Sequence, residues 1–128
     1  MPNTVLPGYV SPMGAKYLMV FDHSGPSSYT QVGSTGAYST GGDKINAADL
    51  GMGGFDTCEP DATDATGQFI AYAIPLNGGN GNAIPSFVLK WYSLVTATVG
   101  GQSQTAGAEV AASTNLSTFN LRVKAWMV

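Results

Sequence analysis

The chain is 128 residues long, the size of one domain, and only 13 of those residues are charged, against about a quarter in an ordinary soluble domain. The net charge of −3 and five scattered basic residues (Lys16, Lys44, Lys90, Arg122, Lys124) argue against a nucleic-acid partner, and no apolar stretch approaches the ~20 residues of a membrane helix. Polarity comes instead from 11 Ser, 12 Thr, 7 Asn and 4 Gln, a neutral surface suited to lie against other protein, where burying ions is costly.

Residues 1–16 hold three prolines and one charge, which predicts an extended N-terminal arm, loose or laid along a neighbour, with residues 17–128 as a single domain. Pro2, Leu6, Pro7, Tyr9 and Pro12 are its candidate contact residues. The start of the chain lacks the basic and apolar pattern of a signal peptide, so synthesis in a cytoplasm is the expectation. Tyr17–Phe21 is a short apolar run that suits a buried strand. Residues 22–42 are rich in Ser, Gly and Thr and read as loop, with a short strand over 29–32. Tyr29 and Tyr38 lie in this loop-rich part and are candidate contact anchors, because tyrosine offers a large rigid surface with a polar tip.

Residues 44–50 are the best helix candidate, with Asp43 or Asn46 as cap and Gly51 as its end. Phe55–Cys58 reads as a strand. Gln68–Ile74 is apolar almost throughout and suits an interior strand, and the Asn/Gly-rich stretch 77–82 is a turn. Phe87–Val95 follows as the partner strand of a long-tipped hairpin. Gly100-Gly101 marks another turn. Phe119–Met127 alternates cleanly, with Phe119, Leu121, Val123, Ala125 and Met127 on one face and Asn120, Arg122, Lys124 and Trp126 on the other, the pattern of a half-buried strand. Short strands and Gly-rich turns with almost no helix predict an all-β fold, a compact β-sandwich of jelly-roll-like or immunoglobulin-like type.

The sequence carries no evident reaction chemistry, and no enzyme activity is expected. His23 sits between Asp22 and Ser24, but adjacent residues do not converge as a catalytic triad does, so it reads as a polar loop residue. One histidine and one cysteine, without motif spacing, supply no zinc site. Cys58 reads as a small buried hydrophobe. Asp56, Glu59, Asp61 and Asp64 form an acidic stretch that lacks the spacing of a calcium loop and reads as solvated; neither a metal nor another cofactor is expected. The glycine pairs match no nucleotide-binding fingerprint and read as turn formers. Trp91, Tyr92 and Trp126 are possible members of an aromatic platform for sugar or protein, although one of Trp91 and Tyr92 must face inward on a strand.

The stretch from Gly41 to Gly51 followed by Phe55, and that from Gly107 to Ser117 followed by the alternating terminal strand, resemble small structural proteins of tailed bacteriophages, several of which are capsid decoration, or cement, proteins. The resemblance covers residues 41–128. It implies a virion protein made in the host cytoplasm and carried on the outer capsid surface. Its expected partners are the major capsid protein and further copies of itself, as a trimer, and it carries over no catalytic residue. The alternative from a different class is a receptor- or carbohydrate-binding β module of a phage tail or fibre.

Overall fold

A computed structural model describes residues 3–13, 16–32, 41–76 and 83–127; the side chains of residues 4–13 and of Lys16 lie outside that description. The fold is all-β. Among the described residues nine strands run in chain order: β1 (Asn3–Met13), β2 (Lys16–Ser24), β3 (Asp43–Asn46), β4 (Phe55–Pro60), β5 (Phe69–Leu76), β6 (Ser86–Ser93), β7 (Ala97–Val99), β8 (Gln102–Gln104) and β9 (Asn120–Met127). A four-stranded sheet has the order β1-β2-β9-β4, a three-stranded sheet has the order β3-β6-β5, and β7 and β8 form a small hairpin. All pairings are antiparallel.

The two larger sheets share one core. Met19 and Phe21 of β2 and Leu121, Val123, Ala125 and Met127 of β9 meet Ile45, Phe69, Phe87, Leu89 and Trp91 from the other sheet, all buried. Phe55 stands edge-on to Phe87 with centroids 5.3 Å apart, and Phe69 stands edge-on to Phe119 at 4.8 Å. The alternation in β9 is observed as written in the sequence, with Leu121, Val123, Ala125 and Met127 buried. Leu121, Val123 and Met127 each stabilise the fold by roughly 1.5–3 kcal/mol relative to full exposure, and the Ala125 methyl by less.

Residues 3–13 are extended, but not as an arm reaching to a neighbour: their backbone pairs with β2 along an edge of the four-stranded sheet, from Asn3 opposite His23 to Met13 opposite Lys16. The ladder breaks between Val5 and Val10, where four residues of β1 face the single residue Val20. Pro7, which has no N–H to give a ladder, falls in that break. Proline marks further edges: Pro12 in β1, Pro60 in β4 and Pro75 in β5 all lie on strands with one neighbour. The doubly paired strands β2, β6 and β9 contain none.

The expected helix over 44–50 is divided. Asp43–Asn46 is strand β3, paired with β6, and only Ala47–Leu50 turns as a 3-10 helix, closed by Gly51 at a left-handed φ of 75°. Burying Ile45 against β6 outweighs the weak local preference for helix. The expected strand over 29–32 is a loop, as Tyr29 pairs through its backbone with Ser113 and Thr114 rather than with a strand. The β5–β6 hairpin has the predicted partners, from Phe69 opposite Ser93 to Leu76 opposite Ser86, and its tip, residues 77–82, lies outside the described residues. Gly100 and Gly101 both hold positive φ, 58° and 84°, and join β7 to β8 in the two-residue turn that favours glycine.

Candidate functional site

Of the candidate contact residues, Pro2 and Tyr38 lie outside the described residues. Leu6, Pro7, Tyr9 and Pro12 fall on the β1 backbone, away from β5 and β6, on the far side of β2 and β9. Tyr29 is not a surface anchor. It is 1% exposed, its hydroxyl donates to Glu109 Oε2 at 2.7 Å and accepts the Trp91 backbone N–H at 3.1 Å. Burial, and then the Glu109 carboxylate, hold its phenol well above the usual tyrosine range.

His23 is likewise not a loop residue. Strand β2 continues through it to Ser24, and alternation turns it inward beneath Phe21. Its Nε2–H donates to Asp43 Oδ2 at 2.6 Å, and its Nδ1 lies against the Asn3 side-chain amide. The same Asp43 oxygen accepts the Trp91 indole N–H at 3.0 Å. This group joins β1 and β2 of one sheet to β3 and β6 of the other. It is fully buried at His23 and Trp91 and bridges the two sheets through side-chain hydrogen bonds.

The acidic stretch divides in the same way. Asp64 is buried rather than solvated. Its Oδ1 accepts the N–H groups of Gln68 and Phe69, each at 2.9 Å, and its Oδ2 accepts the Thr66 N–H at 2.9 Å and hydroxyl at 2.7 Å. Those four donors fill the carboxylate's acceptor positions and fix the entry to β5. Asp56, Glu59 and Asp61 remain exposed. Among the described residues no three His, Cys, Asp or Glu side chains gather as a metal site would require. Cys58 is buried as expected, and burial, with Glu59 beside it, pushes its thiol up to about 12.

The surface that stands out is the outer face of β5 and β6. Across the ladder Ile70 opposes Tyr92, Tyr72 opposes Lys90 and Ile74 opposes Val88. These positions alternate with Ala71, Ala73, Leu89 and Trp91, which face the core side, and Val88 is itself buried in a second cluster with Val32 and Leu76 that covers this end of the face. Tyr72 is 59% exposed, the most exposed large apolar side chain among the described residues. Its ring stands edge-on to Tyr92, centroids 5.4 Å apart, and Lys90 Nζ lies 5.5 Å from the Tyr92 ring centre. An edge-on ring pair of this kind is worth about 0.5–1.5 kcal/mol beyond the area it buries. Beside Tyr72 a cleft of about 450 Å³ runs between β5 and β4, lined by Ile70, Ala71, Ala73, Cys58, Glu59 and Asp61 among others.

The sequence singled out Tyr92 but missed Tyr72, because β5 is apolar on both faces and its alternation does not distinguish inside from outside. The outer face of the other sheet is different in kind. There Arg122 makes two bonds to Asp22, Nε–Oδ1 at 2.9 Å and a second at 3.1 Å, Ser24 donates to Asn120 at 2.6 Å, and Trp126 is half-buried rather than set as a platform. No protein-family model matches the chain, and no curated protein and no solved structure matches it.

Proposed function

We propose that this chain is a structural subunit that acts by surface contact: a capsid decoration protein of a tailed bacteriophage, binding the major capsid protein and its own copies on the outer shell. The reading rests on the resemblance of residues 41–128 and on the low charge of the chain. One observation of the fold carries it furthest: the edge-on pair of exposed Tyr72 and half-buried Tyr92, flanked by Ile70 and Ile74 on the β5–β6 hairpin. A neutral aromatic face of this type binds by area and fit, and depends little on ionic strength. Exposed Tyr72, with half-buried Tyr92 beside it, replaces Tyr29 as the anchor in this proposal.

The test is to mix purified shells lacking the subunit with the native chain and with Tyr72→Ala, and to read occupancy and oligomeric state by light scattering after size-exclusion chromatography. Loss of a central tyrosine anchor is expected to weaken binding by about thirty-fold, the equivalent of roughly 2 kcal/mol, with an unchanged circular dichroism spectrum. A monomer that ignores shells overturns the proposal. A second reading, a carbohydrate-binding module, is favoured by the placing of Glu59 and Asp61 on the cleft beside Tyr72. A ring next to carboxylates can stack on a sugar and accept from its hydroxyls. Glycan-array binding that is lost in Tyr72→Ala, without shell binding, selects that reading.

A further inference from the structure

We infer that the open edge of β5 is a strand-addition site for an extended peptide segment carrying lysine or arginine. The inference does not depend on the identity of the particle or host, and it begins with the backbone. Phe69 turns both its backbone groups away from β6: its N–H donates to Asp64 Oδ1 and its C=O accepts the Asp64 N–H, each at 2.9 Å. In an antiparallel ladder this direction alternates along the strand. Ala71 and Ala73 therefore point their N–H and C=O groups the same way, to the open edge, while Ile70, Tyr72 and Ile74 bond to β6. Strand β6 agrees: Trp91 gives its N–H to the Tyr29 hydroxyl and its C=O to the Val110 N–H, both away from β5.

Among the described residues nothing pairs with the edge groups of Ala71 and Ala73. Both residues are half-buried in the cleft beside β4, so these groups are set back in a slot rather than spread on an open surface. Pro75, next in the same phase, has no N–H, so the donors of the edge end at Ala73. Across the cleft, Asp61 gives its N–H to the Arg122 carbonyl on β9, and the same alternation turns Cys58 and Pro60 of β4 to the slot. The cleft volume of about 450 Å³ suits one extended segment, and the methyl side chains of Ala71 and Ala73 leave room for its backbone.

Charge selects the occupant. Glu59 and Asp61 line the cleft and no lysine or arginine does. Lys124 opposes Glu59 across the sheet, and Arg122, opposite Asp61, is already held by Asp22, so the rim keeps a net negative charge. A cationic strand would bond Ala71 and Ala73 through its backbone, place alternate side chains over Tyr72 and Ile70, and set its ammonium or guanidinium groups at the acidic rim.

A blocked peptide of alternating lysine and valine, titrated into the isotope-labelled full chain, tests this by amide chemical shifts. The expected shifts centre on Ala71 and Ala73. Backbone N-methylation of the peptide along its bonding edge should weaken binding by roughly ten-fold, the loss of two hydrogen bonds. A glutamate–valine counterpart should bind several-fold more weakly, and the double variant Glu59→Gln, Asp61→Asn, which keeps shape while removing charge, should erase that preference. No binding, equal binding of the N-methylated or the acidic peptide, or shifts that leave Ala71 and Ala73 unmoved would overturn the inference. Its failure is separable from that of the proposed function: a native chain that ignores shells while the peptide shifts persist removes the shell-binding role but leaves the slot, and shell binding without peptide shifts does the reverse.

Discussion

Asp22 and His23 are consecutive on β2, yet they belong to different environments. Asp22 points outward and holds Arg122 in a two-bond pair whose side chains are 34% and 49% exposed. His23 points inward and holds Asp43, with side chains 0% and 7% exposed. The chemistry is similar on both faces, but the consequences are not. Water already solvates the outer pair and would do so if it parted. The inner carboxylate, by contrast, would have no substitute for the His23 and Trp91 donors.

Substitutions that break one pair at a time should show this difference. Asp43→Ala leaves the His23 imidazole and the Trp91 indole N–H without their acceptor across the sheet interface, and is expected to lower unfolding free energy in urea by about 3–5 kcal/mol. Tyr29→Phe keeps the ring but removes the acceptor of the Trp91 backbone N–H and one donor to Glu109, for a loss of about 1–3 kcal/mol in the same measurement.

Alkaline pH probes the interior without a mutation. The Cys58 thiol is raised from an ordinary 9.0 to about 12, so the folded chain keeps a proton that the unfolded chain releases. Its contribution is therefore complete below pH 9 and declines as pH rises towards 12, by up to about 1.4 kcal/mol per pH unit. Tyr29, also raised, adds to the decline above its ordinary value of 10.0. Cys58→Ala should flatten the lower part of the stability–pH curve. A curve that does not change in Cys58→Ala would show that the thiol is solvated. The smallest effect belongs outside: Arg122→Ala should change stability by at most about 1 kcal/mol, and less in high salt. A loss equal to that of Asp43→Ala would remove the distinction between the two faces.

The contrast also explains what the sequence reveals and what it hides. Strand β9 is legible because each of its faces has one character. The hairpin β5–β6 is legible because two apolar runs flank a turn-forming stretch. The apolar run 68–74 reads as an interior strand, yet β5 is an edge strand, and Pro75 within it, like Pro12 and Pro60, is the residue consistent with that place. His23 is hidden because a polar residue on an inward position looks locally like the start of a loop. What makes it a core residue, Asp43 and Trp91, lies 20 and 68 positions further along the chain. Asp64 is hidden for a similar reason: among neighbouring acids it looks solvated until the backbone of Thr66–Phe69 folds around it. The division of 44–50 into strand and turn reflects pairing with β6, information that no local window contains. Tyr72, central to the proposed contact face, has no distinguishing signal in a run that is apolar on both sides.

The place of β9 has a consequence for how the chain acquires its structure. It lies between β2 and β4, opposite Tyr17 at one end through Met127, and it follows the other eight described strands in the chain. Until it emerges, β2 and β4 have no strand to join them, and the β1–β2 hairpin exposes a long unpaired margin. Closing a loop of about a hundred residues is a slow entropic step in folding. The four-stranded sheet must therefore form after residues 120–127 have been translated, and a chain stopped short of Asn120 would present the β2 margin to other chains. Incomplete copies should then be lost to aggregation or proteolysis rather than accumulate as partly folded subunits.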